Sequence, residues 1–146
     1  MSAIDVTVET TIARPHAEVA AFATDPGNDT SWILALSSAR ALTDGPVGPG
    51  MRVERIASFL GRRIEYVNEV TAFEPGRRLE MRSVQGPFPM EVTYEFEDAG
   101  EGTLMRIRNR GDAGGFYRLA RPMLAAAVRR GVARDLAELK RLLESR

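Results

Sequence analysis

Arg55 is the residue of this sequence whose type and position most need a chemical explanation. It alternates with the apolar residues Val53 and Phe59, so strand parity turns its side chain toward the interior. A guanidinium there requires a carboxylate, a ligand anion or water at a cavity mouth, because an unpaired buried charge is too costly. Asp135 is then its natural protein partner. A β-bulge between Val53 and Ile56 would instead carry Arg55 outward.

Three side chains are candidates for proton transfer. Tyr66 and Tyr94 fall on the inner faces of predicted strands, and Asp135 falls within the apolar stripe of the last helix. If Asp135 faces a cavity, burial raises its pKa and makes it a candidate general acid or base. The alternative is a salt bridge at the edge of the stripe. In a reaction that forms an enolate, Arg55 or Asn68 would stabilise the oxygen.

Composition excludes several kinds of site. The chain has 146 residues, 44% of them apolar and 27% charged, which is typical of one globular domain spanning residues 1–146. It has no cysteine, which excludes disulfides and thiolate nucleophiles, and its one histidine, His16, excludes a multi-histidine metal site. The glycines of 45–50 lack the Lys-Ser/Thr ending of a phosphate loop. We therefore expect no metal and no cofactor.

The charge is zero overall but unevenly distributed. Residues 1–101 hold nine basic and sixteen acidic side chains, and residues 102–146 hold eleven and four. This pattern predicts two parts of one fold that attract each other. The alternative is a basic surface for a membrane or nucleic acid. Because no nucleic-acid-binding motif accompanies the arginines, we expect no nucleic-acid partner.

No segment is predicted to direct the chain to a membrane. The longest apolar run, Met123–Val128, is six residues, far shorter than a membrane span. The first ten residues carry acidic groups and no basic stretch before an apolar core, so no signal peptide is predicted. We expect a cytoplasmic protein without integral membrane association.

The element order is that of an α+β protein. Residues 4–12 alternate as a half-buried strand, and Arg14–Thr24 and Asn28–Leu36 predict two short helices. An amphipathic helix over Phe116–Glu144 ends the chain. Short turns between the intervening strands favour antiparallel pairing, with one face of the sheet buried against that helix. These predicted strands are Met51–Leu60, Arg62–Phe73, Arg78–Val84, Met90–Glu97 and Thr103–Asn109.

Several motifs along nearly the whole chain resemble one known family. They are Ala13-Arg14-Pro15 with Asp25-Pro26, the segments Phe59–Glu65 and Glu69–Leu79, then Gly86–Pro89 and Tyr94–Glu97. The chain is similar to the bacterial polyketide cyclase/dehydrase and lipid-transport (SRPBCC) branch of the START-like, birch-pollen-allergen-like superfamily. The resemblance implies a helix-grip fold, in which a curved antiparallel sheet grips the long C-terminal helix and encloses a cavity.

The resemblance implies binding of a hydrophobic small molecule, a lipid or polyketide-like compound, in that cavity. The alternative is a cofactor-independent cyclase or dehydratase that uses the same cavity; whether the protein is a monomer or a homodimer stays open. Inner-face methionines suit an adaptable apolar lining, although they could equally fill an ordinary core. The candidate ligand contacts are Trp32, Arg55, Phe59, Tyr66, Asn68, Met81, Ser83, Met90, Val92, Tyr94, Met105, Asn109 and Met123.

Overall fold

The computed structural model of the protein describes residues 4–146. Its strands form one antiparallel sheet of seven. In space the strands follow the order β1-β7-β6-β5-β4-β3-β2, and each neighbouring pair is antiparallel. Their bounds are β1 (Ile4–Ile12), β2 (Leu36–Ala41), β3 (Arg52–Phe59), β4 (Arg62–Glu74), β5 (Arg78–Gln85), β6 (Met90–Ala99) and β7 (Gly102–Gly111).

In the described part of the chain, four helices accompany the sheet. They are α1 (His16–Ala23), α2 (Asp29–Trp32), α3 (Gly114–Tyr117) and α4 (Arg121–Glu144), and a 3₁₀ turn, Pro26–Asn28, precedes α2. Among residues 4–146, no helix combines the length and apolarity that crossing a bilayer would require.

Alternation along the strands separates a buried face from a charged one. In β1 the side chains of Ile4, Val6 and Ile12 are buried, whereas Asp5 and Glu9 lie on the outer face. There Asp5 pairs with Arg108 of β7 at 2.7 Å, and Glu9 pairs with Arg106 at 3.0 Å. The acidic early part of the chain therefore meets the basic late part across neighbouring strands, as the charge distribution predicts.

Helix α4 covers the inner face of the sheet. Its apolar stripe buries Leu124, Val132, Leu136, Leu139 and Leu143. The last four of these pack in the main core with side chains from the sheet and from α1. The amphipathic period of the sequence thus predicts the packed face of α4.

Two predicted helix bounds are wrong. The long helix begins at Arg121 and not at Phe116, because Arg118 adopts a left-handed conformation (φ 55°) that separates α3 from α4. The predicted helix Asn28–Leu36 is helical only over Asp29–Trp32, and the chain then enters β2. Edge strand β2 lacks the β-branched and aromatic residues typical of strands, so its pairing with β3 determines its conformation.

Candidate functional site

A cavity of about 540 Å³ lies between the inner face of the sheet and the first half of α4. This volume is in the range of small-molecule binding sites. From the helix, Leu124, Val128, Gly131 and Asp135 contribute to its wall. From the sheet, it is lined by seven of the predicted ligand contacts, namely Phe59, Tyr66, Asn68, Ser83, Met90, Val92 and Asn109.

The other predicted contacts do not line this cavity. The second half of α4 packs in the main core, where Leu136, Leu139 and Leu143 share a cluster with side chains of the sheet. Met123 lies on the surface with 60% of its area exposed. Trp32, Arg55, Met81, Tyr94 and Met105 are buried in the packed region.

Arg55 points inward and forms a buried ion pair with Asp29. Its Nε and Nη2 donate to the same oxygen, Asp29 Oδ2, at 3.0 and 2.7 Å, and its Nη1 lies 3.7 Å from Met81 Sδ. The arginine and aspartate side chains are only 7% and 2% exposed. The inward orientation is confirmed, but the predicted partner, Asp135, is wrong. The suggested bulge is absent as well, since β3 pairs with β4 without a register shift.

Helix α2 explains why Asp29 is the partner. Asp29 begins this helix, and Trp32, three residues later, lies on the same face. Because Trp32 is fully buried, Asp29 is buried with it, above β3. The spacing of Asp29 and Trp32 is the sequence signal that could have identified this carboxylate.

Each charge of the Arg55–Asp29 pair offsets the free-energy cost of burying the other. Burial raises the pKa of the Asp29 carboxyl, and the guanidinium of Arg55 opposes this effect. Burial also disfavours the charged form of Arg55, but the neighbouring carboxylate outweighs it and raises the pKa of Arg55. The guanidinium is therefore occupied by a protein anion.

Asp135 faces the cavity from α4. Its Oδ1 accepts a hydrogen bond from the backbone N–H of Leu34 at 3.0 Å. Burial raises the pKa of Asp135 to about 6, although the Leu34 hydrogen bond and the charge of Arg134 act in the opposite direction. Within residues 4–146 it has no ion-pair partner closer than 4.0 Å, so the predicted salt bridge at the stripe edge is wrong.

The polar side chains of the sheet differ in whether they find a hydrogen-bond partner within the protein. The Ser83 hydroxyl accepts from Met90 N at 2.9 Å. The amide of Asn68, a residue only 6% exposed, and the hydroxyl of Tyr66 line the cavity without a hydrogen bond to the part of the chain described here. Burial raises the pKa values of Tyr66 and Tyr94, so both stay protonated near neutral pH. The cavity thus presents neutral donors and acceptors beside one carboxyl, with Arg130 and Arg134 of α4 also in its lining.

Proteins that resemble this chain in sequence or in structure share this architecture. The family described as "Polyketide cyclase / dehydrase and lipid transport" matches residues 3–144. The crystal structure of TTHA0849 from Thermus thermophilus has a TM-score of 0.80 at 21% identity, with 94% of each chain covered. No curated protein matches the sequence significantly.

Two further solved structures connect the chain to the expected fold. Ara h 8.0201 has a TM-score of 0.73 at 15% identity, covering 97% of this chain and 98% of that one. A START superfamily protein from Mycobacterium smegmatis has a TM-score of 0.71 at 14% identity, covering 97% and 94%. The helix-grip fold is therefore confirmed.

Proposed function

The chain belongs to the polyketide cyclase/dehydrase and lipid-transport family, and we propose that it binds a hydrophobic small molecule between the sheet and α4. The main support for this proposal is the cavity of about 540 Å³, which lies beside a cluster of packed core side chains. Apolar side chains such as Phe59, Met90 and Val128 provide most of its wall. A lipid or a polyketide-like compound matches this lining.

The polar groups that line the cavity favour a ligand whose buried part carries no charge. The amide of Asn68 can donate to a carbonyl or accept from a hydroxyl. Arg55 is bound to Asp29 and does not line the cavity, so it is not available to an acidic ligand. The carboxylate of Asp135 disfavours a second anion beside it.

Binding can be tested by filling the cavity from α4. A side chain added at Gly131 enters the site, since a Cβ there meets only Phe59 Cε1, at 3.8 Å. We expect Gly131→Leu to weaken binding of a neutral long-chain alcohol at least about tenfold, because it occupies the space. Gly131→Ala is the matched control, since it gives the same gain in helix propensity with one methyl group. Native mass spectrometry of the purified protein would identify a retained ligand.

Equal affinities of both variants and the wild type would contradict the proposed site. No retained ligand and no binding of neutral amphiphiles by the wild type would contradict the function itself.

A cyclase or dehydratase is the second candidate, because Tyr66 and Asp135 line the same cavity. A carboxyl with a pKa of about 6 can exchange protons near neutral pH, and a protonated phenol can donate a hydrogen bond to an enolate oxygen. Tyr94, the third candidate acid or base, lies in the packed region. The test is turnover of a poly-β-ketone analogue by wild type and Asp135→Asn. Product formation that is lost in Asp135→Asn while binding persists would favour the enzyme, and equal rates would exclude this role of Asp135.

A further inference from the structure

The cavity has a rim that combines exposed leucines with arginines. Leu34 follows α2 and is 50% exposed, and Leu60 forms the tip of the β3–β4 hairpin and is 45% exposed. Arg130 and Arg134 of α4 are exposed and line the same cavity. We define these four residues as the rim.

Leu60 occupies a backbone position that leucine does not favour. Leu60 and Gly61 have φ values of 50° and 77°, which is the two-residue hairpin turn with positive φ at both positions. Asn, Asp and Gly are preferred there, because a larger side chain crowds the backbone. A strained and solvent-exposed leucine is not explained by the stability of the fold.

The rim arginines differ from those on the outer face of the sheet. Arg52, Arg106 and Arg108 are paired with carboxylates of neighbouring strands. Within residues 4–146, Arg130 and Arg134 have no carboxylate within 4.0 Å. The rim arginines therefore form no ion pair in the described chain, and the carboxyl that the charge of Arg134 influences is that of Asp135, in the same cavity wall.

Neighbouring residues extend this surface. Met123, 60% exposed, lies seven residues before Arg130, so both project from one face of α4. Arg62, next to the hairpin tip, stacks on the ring of Phe116, with its Cζ 3.7 Å from the centroid, and has no ion-pair partner in the described chain. Met123 and Arg62 thus add one apolar and one positive group beside the rim.

We propose that the rim docks on an anionic lipid bilayer. Phosphate headgroups complement the unpaired arginines, and the exposed leucines can enter the interfacial layer, as in other peripheral membrane proteins. An acidic protein would complement the arginines but would leave Leu60 without a reason for its strained position. The proposal goes beyond ligand binding and does not depend on it, since docking needs only the outer rim.

Vesicle co-sedimentation of the whole protein tests the proposal, with phosphatidylcholine vesicles that contain or lack phosphatidylglycerol. We expect binding only with phosphatidylglycerol, and weaker binding as salt is raised. Arg130→Gln and Arg134→Gln should each lower the partition coefficient about fivefold. Arg77→Gln is the matched control, because Arg77 is also exposed and forms no ion pair in the described chain but lies in the turn after β4, at the end of that strand opposite the hairpin tip.

The apolar part of the rim has its own control. Leu60→Asn should weaken vesicle binding while retaining the fold, whereas Leu42→Asn should not weaken it. Leu42 has the same exposure of 45% but lies after β2, at the end of the sheet opposite the hairpin tip. The proposal is overturned if the wild type does not bind anionic vesicles. It is also overturned if Arg77→Gln and Leu42→Asn reduce binding as much as the rim variants do.

Discussion

The guanidinium of Arg55 and the carboxylate of Asp29 join β3 to the first residue of α2 inside the protein, with Nη2 and Oδ2 2.7 Å apart. This pair holds the short helix that carries Trp32 against the sheet. Trp32 in turn meets Tyr94 edge to face, with ring centroids 5.8 Å apart. The ion pair therefore helps to hold α2 in place, and with it Trp32 in the core and Leu34 at the cavity rim.

Removing either partner of this pair should destabilise the fold. We expect Arg55→Ala and Asp29→Ala each to lower the free energy of unfolding by about 3–5 kcal/mol, because each leaves an uncompensated buried charge. Urea denaturation measures the change. Arg40→Ala is the control, since Arg40 and Glu54 form an exposed pair at 3.1 Å whose loss should change stability by less than about 1 kcal/mol. Similar small losses in all three variants would contradict a stabilising buried pair.

Asp135 should make stability depend on pH. The pKa of its carboxyl rises from 3.8 in the unfolded chain to about 6 in the fold, so the native state binds the proton more tightly. The contribution of Asp135 to the free energy of unfolding is at most about 3 kcal/mol. This contribution is fully present below pH 3.8 and is lost as the pH rises through 6.

The comparison with Asp135→Asn isolates this group from the other carboxyls. Between pH 4 and 7, the stability of the wild type minus that of Asp135→Asn should decrease as pH rises. Thermal melts at several pH values measure this difference. A difference that stays constant, or that increases with pH, would show that burial does not perturb this carboxyl.

Replacing Leu60 by Asn should stabilise the hairpin. Asn tolerates the positive φ of this turn better than leucine does, so we expect the free energy of unfolding to rise by about 0.5–1 kcal/mol. Leu42→Asn, at equal exposure but without positive φ, should show no such gain. Differential scanning calorimetry distinguishes the two variants, and a loss of stability in Leu60→Asn would refute the strain argument.

Trp32 should stabilise the fold through the volume that its side chain fills and not through a hydrogen bond. Its Nε1 is buried and has no hydrogen-bond partner in the described residues. Trp32→Ala should lower the free energy of unfolding by about 3–5 kcal/mol, because it leaves a large cavity. Trp32→Phe retains most of the ring contact with Tyr94, and we expect less than half of that loss. Equal losses, measured by urea denaturation, would instead indicate a hydrogen bond to the indole.

The sequence by itself determines the features that depend on local periodicity. Alternation identifies strands β4 to β7 and most of their buried faces, because successive side chains of a strand point to opposite sides. The exception is β4, where a register shift buries both Val67 and Asn68. The period of α4 identifies its packed stripe in the same way. Parity also favours the inward orientation of Arg55, although the structure was needed to exclude a bulge in β3. Each of these inferences compares residues a few positions apart.

Only the tertiary structure decides which distant residues meet. Arg55 pairs with Asp29, 26 positions away, and not with Asp135, because α2 lies over β3 whereas Asp135 is held at the backbone of Leu34. Parity places Tyr66 and Tyr94 on the same inner face, yet Tyr66 lines the cavity and Tyr94 is packed. The physical reason is that a cavity is the space that α4 leaves over the sheet. Its position depends on how the whole helix packs, which no local pattern records.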